Sequence, residues 1–294
     1  MASFFTLVRK HGLKLALTTF LGIAASYAVI YGGILILFLI FLMMIGGVAS
    51  FEDSLTPEAM FGFGVIGIIL LILAYLVIIA VSYLVQSFTM GGIYGMGKEV
   101  LLENRSEIGT FFSQGFRYMW RLTGQYLLFC LCWAPLYFFM IFPFAIASEL
   151  IGEWVVFILL PFLAVFFFLV MALFLHAPAI LVRDDLRVLE SMKRTFRLFF
   201  SSSFGSVCLS TLLAGVAGLV VNVAFLLVAG LIIGFCILLQ FLVHEGFVVL
   251  TMVAGIPLGL AYMVIVLPLS MAVACLLILY RYERIRPNDL PQAA

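Results

Sequence analysis

Leu15 to Ala49 reads LALTTFLGIAASYAVIYGGILILFLIFLMMIGGVA, without one charged side chain. About twenty apolar residues, each adding about 1.5 Å of helix, cross a hydrocarbon core of roughly 30 Å, so this stretch alone suffices to span a bilayer. The strands of a transmembrane barrel would alternate apolar and polar residues, whereas Leu, Ile, Val and Phe here occupy both parities. The stretch is therefore expected to be a membrane helix.

Working outward, five more runs of the same kind lie between charged or turn-rich breaks, at 59–90, 122–147, 154–181, 205–240 and 247–280. Runs 15–49 and 205–240 would each give a helix of roughly 50 Å, which must tilt, bend or start in the interface. The whole chain agrees: 66% of its 294 residues are hydrophobic, 10% are charged and the mean hydropathy is +1.31. Soluble domains carry about a quarter charged residues. That balance excludes a soluble globule, a disordered chain, a disulfide-rich secreted domain and a basic nucleic-acid binder. The fold expected is an all-α integral membrane protein of six transmembrane helices, arranged as three hairpins in a single domain over 1–294.

The charges give the orientation. All 15 Lys and Arg fall in four segments: before run one (Arg9, Lys10, Lys14), between runs two and three (Lys98, Arg105, Arg117, Arg121), between runs four and five (Arg183, Arg187, Lys193, Arg194, Arg197), and after run six (Arg281, Arg284, Arg286). The other connections carry only Glu52, Asp53, Glu58, Glu149, Glu153 and Glu245. Basic residues stay cytoplasmic, so both termini are expected inside, with +7 on the inner face and −6 outside. The N-terminal apolar run outlasts a secretory signal of about 7–15 residues and reads as a retained first span. The composition is that of a bacterial inner-membrane protein.

Thr56, Pro57 and Glu58 form a helix start on the outer side, as cap, first-turn proline and favourable charge. On the inner side, Asn104 and Glu107 have capping-box spacing. After them Ile108, Phe111, Phe112, Phe116 and Met119 recur at helical intervals, which predicts a first cytoplasmic amphipathic helix. A second is predicted from about Asp185, with Leu189, Met192, Phe196 and Phe199 on one stripe and Arg187, Glu190, Arg194 and Arg197 on the other. Glu190 stands four residues before Arg194, the favourable order for a helical ion pair. Such basic, aromatic helices lie in the headgroup plane, and anionic lipid adds about 1 kcal/mol per basic residue. The same helices could instead only buttress the bundle. Val8-Arg9, Phe116-Arg117 and Phe196-Arg197 each precede a rising span, as three similar two-helix units would.

Motifs with chemistry are few. Gly92 to Lys98 matches the phosphate-loop pattern GxxxxGK, but a membrane span precedes it and Glu99 stands where Ser or Thr would hold Mg²⁺. Its glycines are expected to let helices pack closely or to break span two at the interface. His244-Glu245 begins a zinc-protease pattern that Val248 ends, and His11, His176 and His244 lie too far apart to share a metal. The five cysteines form no framework. No metal or cofactor is expected.

Ionisable residues in a membrane mark proton and ion paths, and none lies near the middle of any run. Asn222 is the single strongly polar midplane side chain, a candidate for an interhelical hydrogen bond or a ligand contact. Gly215, Gly218, Gly230 and Gly234 suit its span to close packing. Pro135, Pro143, Pro161, Pro257 and Pro268 can kink three spans.

Ala177 to Asp185, with Leu189 and Lys193 to Leu198 after it, and the stretch from Gly91-Gly92 to Phe116, resemble a broad bacterial family of six-span inner-membrane proteins. Its members include proteins of largely unknown function and the membrane domain fused to some glycerophosphoryl diester phosphodiesterases. The chain differs at Leu186, where a Gly often stands, and at Phe196, where a Trp often does. It is expected to lack the soluble phosphodiesterase barrel, so the resemblance implies membrane-domain roles and no active-site residue.

The function expected from the sequence is a non-enzymatic membrane module. It would bind anionic lipid headgroups or a partner protein, not nucleic acid, through Arg117, Arg121, Arg187, Lys193, Arg194 and Arg197. The alternative is a permease or lipid-translocating protein with a cavity between hairpins near Asn222.

Overall fold

The structure, a computed structural model, describes residues 3–51, 57–152, 154–242 and 248–285. Among them every regular element is helical: α1 (Phe4–Phe51), α2 (Pro57–Glu103), α3 (Ile108–Ile151), α4 (Trp154–Asp184), α5 (Val188–Phe199), α6 (Phe204–Leu242), α7 (Val248–Ala261) and α8 (Leu267–Ile285). A π-helical turn over Tyr262–Val266 joins the last two. Five of the helices are long and apolar enough to cross a membrane, within Phe4–Met43, Val65–Glu103, Leu160–Asp184, Phe204–Leu239 and Val253–Ile285. Helices satisfy every internal backbone group within their own segment, which hydrocarbon demands.

The helices overrun the expected spans at the charged end. α1 begins at Phe4, so Arg9, Lys10 and Lys14 ride on it, and its 48 residues make a rod of roughly 72 Å. The first expected amphipathic helix is not a separate element, because residues 108–119 are the opening turns of α3, which runs on to Ile151. No proline or glycine stands between Tyr118 and Thr123 to stop it, and Arg117 and Arg121 therefore sit on the long helix itself.

The capping box at Asn104 also gives way. Asn104 has φ +54° and closes α2 in the left-handed conformation that Asn tolerates. Its Oδ1 accepts from His11 Nε2 at 2.9 Å. The other ring nitrogen, Nδ1, shares a hydrogen bond with the Ser106 hydroxyl, 2.7 Å away. Asp185, with φ +51°, ends α4 in the same way, and the Leu186 N–H returns to the Leu181 carbonyl at 3.1 Å, as in a Schellman motif. Consequently α5 starts at Val188 rather than near Asp185.

Span two does not break at its glycines, since α2 continues through them to Glu103. Gly91, Gly92 and Gly95 instead let α3 approach. A Cβ on Gly92 would stand 2.5 Å from the Phe111 ring, one on Gly91 would stand 3.2 Å from Tyr118 Cβ, and one on Gly95 would collide with Gln114. From the other side Gly115 admits Phe88. The stretch matching a phosphate loop is thus a helix-packing surface.

α8 lies centrally against α1, α2, α4 and α6. One core gathers Leu15, Tyr94, Met96, Phe111, Tyr118, Leu276 and Leu279, and a second gathers Phe129, Leu173, Ile180, Phe199 and Tyr282. Both belong to the end that carries the charges. Toward the other end packing thins: only 6% of the most apolar stretch of α1, α2 or α6 is buried, against 50% in α4. There α1 touches α2 where Gly33 meets Ile78, α3 touches α4 through Trp133 and Phe166, and α6 touches the π turn through Phe225 and Tyr262.

Of the prolines, Pro161, Pro178 and Pro257 lie inside helices. The irregularity falls at Pro268, which cannot donate to the Val264 carbonyl and whose ring crowds it. The π turn widens the backbone there, and the Leu267 N–H bonds the Tyr262 carbonyl. Among the glycines of α6, Gly218 faces Ser270, but Gly215, Gly230 and Gly234 have nothing among the described residues within 4 Å where a Cβ would stand. The close packing expected of the last two is not found among the described residues.

Candidate functional site

The charged end is organised around the turn after α4. Asp184 and Asp185 follow each other there, and the left-handed Asp185 turns the two carboxylates apart. Asp185 receives Arg117 at 2.6 Å and Arg121 at 2.8 Å. Both guanidinium groups also stand over the Tyr118 ring, at 5.4 and 6.0 Å.

Asp184 takes Arg194 of α5 at 3.0 Å and the Tyr282 hydroxyl of α8 at 2.6 Å. One residue earlier, Arg183 pairs with Glu283 in a nearly closed site, the two side chains 10% and 9% exposed. Lys98 Nζ donates to the Val182 carbonyl at 3.2 Å. One turn thereby ties α2, α3, α5 and α8 together.

Electrostatics follow from these contacts. Partial burial draws the Asp185 carboxyl upward, but Arg117, the Tyr118 hydroxyl and Arg121 outweigh it and hold the group below its ordinary value. The Tyr118 phenol is pushed up to about 12, chiefly by burial and then by the Asp185 charge, with Arg117 and Arg121 pulling the other way. Both groups keep their neutral-pH forms, carboxylate and phenol, which the cluster requires.

α5 places the remaining cations. Ser191, Met192, Thr195, Leu198 and Phe199 face inward, where Ser191 Oγ accepts from Gln125 at 2.9 Å and donates to the Ala177 carbonyl at 3.3 Å. The Glu190 carboxylate reaches back to the Arg187 N–H at 3.4 Å. Lys193 and Arg197 point out of the protein, with no ion pair among the described residues. They border a pocket of about 750 Å³ at the corner of α5 and α6, lined also by Arg194 and by Ser201, Ser202 and Ser203.

The six basic candidates therefore divide. Lys193, Arg194 and Arg197 share the pocket, whereas Arg117 and Arg121 share the one carboxylate of Asp185 and Arg187 is exposed at the head of α5. The expected Glu190–Arg194 helical pair does not form, because Arg194 turns to Asp184. Asn222 lies apart on α6, where Oδ1 accepts from Tyr262 at 2.9 Å and Nδ2 donates to its own Gly218 carbonyl at 2.7 Å.

Sequence reasoning missed Asp184 and Asp185 as the acceptors that engage half of the six candidates, with Tyr282 donating to Asp184 and Glu283 pairing with Arg183. The adjacent aspartates at the end of an apolar run were the available signal. It also passed over the serine triplet, whose hydroxyls follow directly on a basic helix.

Among the described residues no group of three metal-ligating side chains occurs. His176 Nδ1 donates to the Ala172 carbonyl at 2.8 Å, and His11 is bound to Ser106 and Asn104. Thr56, His244 and Glu245 lie outside the described residues, as do Glu52, Asp53, Glu153, Arg286 and Asp289. No family model, curated protein or solved structure matches the chain.

Proposed function

We propose that the protein is a non-enzymatic polytopic membrane module that binds anionic lipid, or a partner protein, through a basic cytoplasmic face. In this reading the chain crosses a bacterial inner membrane six times, the additional span being the far part of α3. The helices form three successive hairpins, α1–α2, α3–α4 and α6 with α7–α8, and both termini are cytoplasmic. The amphipathic α5 lies in the headgroup plane.

The observation that carries the reading is the division of the cations. Arg117, Arg121, Arg183 and Arg194 are consumed by carboxylates, while Lys193 and Arg197 stay exposed beside Leu189 and Phe200, which are 64% and 85% exposed. Unpaired cations interleaved with apolar side chains match an interface that is anionic at the surface and apolar just below it. The topology supports the orientation, since every described Lys and Arg lies at one end.

The test is native mass spectrometry of the protein extracted directly into nanodiscs. The wild type should retain a stoichiometric lipid or protein that Arg187→Glu/Lys193→Glu/Arg197→Glu loses while remaining folded. Retention equal to wild type would refute a basic-face function.

A second reading, a lipid-translocating or permease function, has one observation in its favour. The far halves of the helices bury little of their apolar surface, only 6% of the most apolar stretch of α1, α2 or α6, and Asn222 and Tyr262 meet there. Transport by the reconstituted protein that Asn222→Leu abolishes would establish it, and inactivity of the wild type with candidate substrates on both sides would count against it.

A further inference from the structure

We infer that the pocket at the α5–α6 corner is a binding site for a phosphoryl anion, and that its occupant is the headgroup phosphate of an anionic membrane phospholipid. The inference rests on the lipid-binding reading and narrows it from a face to one site.

Charge is the first argument. Lys193, Arg194 and Arg197 line the pocket with the single carboxylate of Glu190, and with Arg194 paired to Asp184 a net charge of +1 remains in a space of about 750 Å³. That volume falls within the range of small-molecule sites, roughly 300–1,000 Å³, and exceeds what a lone ion needs.

Arg194 supplies the second. Its Nη1 is spent on Asp184 at 3.0 Å, but its Nη2 is buried and has no hydrogen-bond partner among the described residues. A buried guanidinium N–H left unsatisfied is costly, and a planar fork with one free edge suits a phosphate oxygen. Asp184 holds the fork in place, so this donor is preset before a ligand arrives.

The floor of the pocket adds donors. Ser201 Oγ donates to the Leu198 carbonyl at 2.8 Å and accepts the Ser203 N–H at 3.1 Å. That brace holds the Ser201–Ser203 turn at the N-terminus of α6, where helical N–H groups converge and favour negative charge. Ser202 is exposed on the same turn.

The rim identifies a lipid rather than a soluble phosphate. Leu186, Leu198 and Ile285 complete the lining, and Phe200 stands 85% exposed beside it with Phe204 at 43%. A headgroup seated on the cations would lay its acyl chains along these side chains. A free phosphate gains nothing from them.

The test uses the full chain in phosphatidylcholine nanodiscs with and without phosphatidylglycerol, read by native mass spectrometry. Wild type should keep one phosphatidylglycerol per chain, and Lys193→Gln/Arg197→Gln should weaken its retention roughly tenfold or more. The off-pocket control Arg9→Gln/Lys10→Gln should leave it unchanged. Equal weakening by both double variants would overturn the site while keeping the basic-face reading. No weakening by either would overturn both. Displacement of the lipid by millimolar inorganic phosphate or glycerol phosphate would overturn the lipid assignment in favour of a soluble anion. If the pocket variant does not fold, Ser202→Trp, which fills the mouth without altering charge, must release the lipid, and retention by that variant would overturn the site.

Discussion

The charged end and the far end of this molecule use glycine in opposite ways. At the charged end Gly91, Gly92 and Gly95 sit against Tyr118, Phe111 and Gln114, and a Cβ at any of them would press on α3. Toward the far end Gly230 and Gly234 meet nothing among the described residues within 4 Å, and the leucines and isoleucines around them stand half exposed. Apolarity cannot explain the contrast, since both ends are rich in Leu, Ile and Phe. In hydrocarbon, helices gain little from burying one aliphatic side chain against another, and close backbone approach and polar contacts provide the cohesion. The charged end has several of each, whereas among the described residues the far half has the approach of Gly33 to Ile78 and the hydrogen bonds of Tyr262 to Asn222 and of Tyr83 with Cys130.

The largest way to break this contrast is to remove a buried ionic contact. Glu283→Ala strands Arg183 in a site where both side chains are about nine-tenths buried, and should cost about 3–5 kcal/mol. Thermal unfolding followed by fluorescence-detected size exclusion should show the loss. Arg183→Met in addition should recover much of it, and no recovery would mean that the pair does more than neutralise itself.

Gly92→Leu against Gly230→Leu compares the two ends directly. The first must displace Phe111 and should cost about 1–3 kcal/mol or more, whereas the second enters open space and should leave unfolding near wild type. Equal destabilisation would show that the far end of α6 is packed against something outside this chain.

The smallest effect concerns Asp185. Its folded pKa lies below the unfolded one, so its contribution is fully present above the unfolded value near 4 and fades as pH falls through the folded value. Because Asp185 is 35% exposed, solvent screening should limit that contribution to about 1 kcal/mol or less. The difference in melting temperature between wild type and Asp185→Asn should therefore shrink below pH 4, and a difference constant with pH would place the cost of the variant in its backbone rather than its charge.

The apolar runs and the sorting of cations were legible because each residue contributes to them independently of distant neighbours. Leu15–Ala49 announces a helix without knowing what it touches. The partners of the cations were not legible: Arg117 and Arg121 meet Asp185 across more than sixty residues of sequence, and no periodicity encodes that encounter. Arg194 shows the cost, since its local spacing selects Glu190 and the fold selects Asp184. The two left-handed closures were hidden for another reason. Asn104 and Asp185 are not glycines, and at Asn104 a capping signature pointed to the following helix while the backbone closes the preceding one and the side chain reaches His11 of α1.

The π turn between α7 and α8 has a consequence for how the last helix serves its neighbours. One extra residue in a helical turn advances the angular phase of everything after it by about 100°. Val253, Ile256 and Leu260 before it face outward, while Ala272, Cys275, Leu276 and Leu279 after it are buried. α7 touches α6 and the turn itself, whereas α8 is enclosed by four helices. Deleting a single residue from Tyr262–Val266 would rotate one half against the other, and the side that Tyr282 and Glu283 present to the α4 turn would swing away. The address of the acidic and phenolic groups at the charged end is therefore written about twenty residues earlier, in the count of residues around that turn.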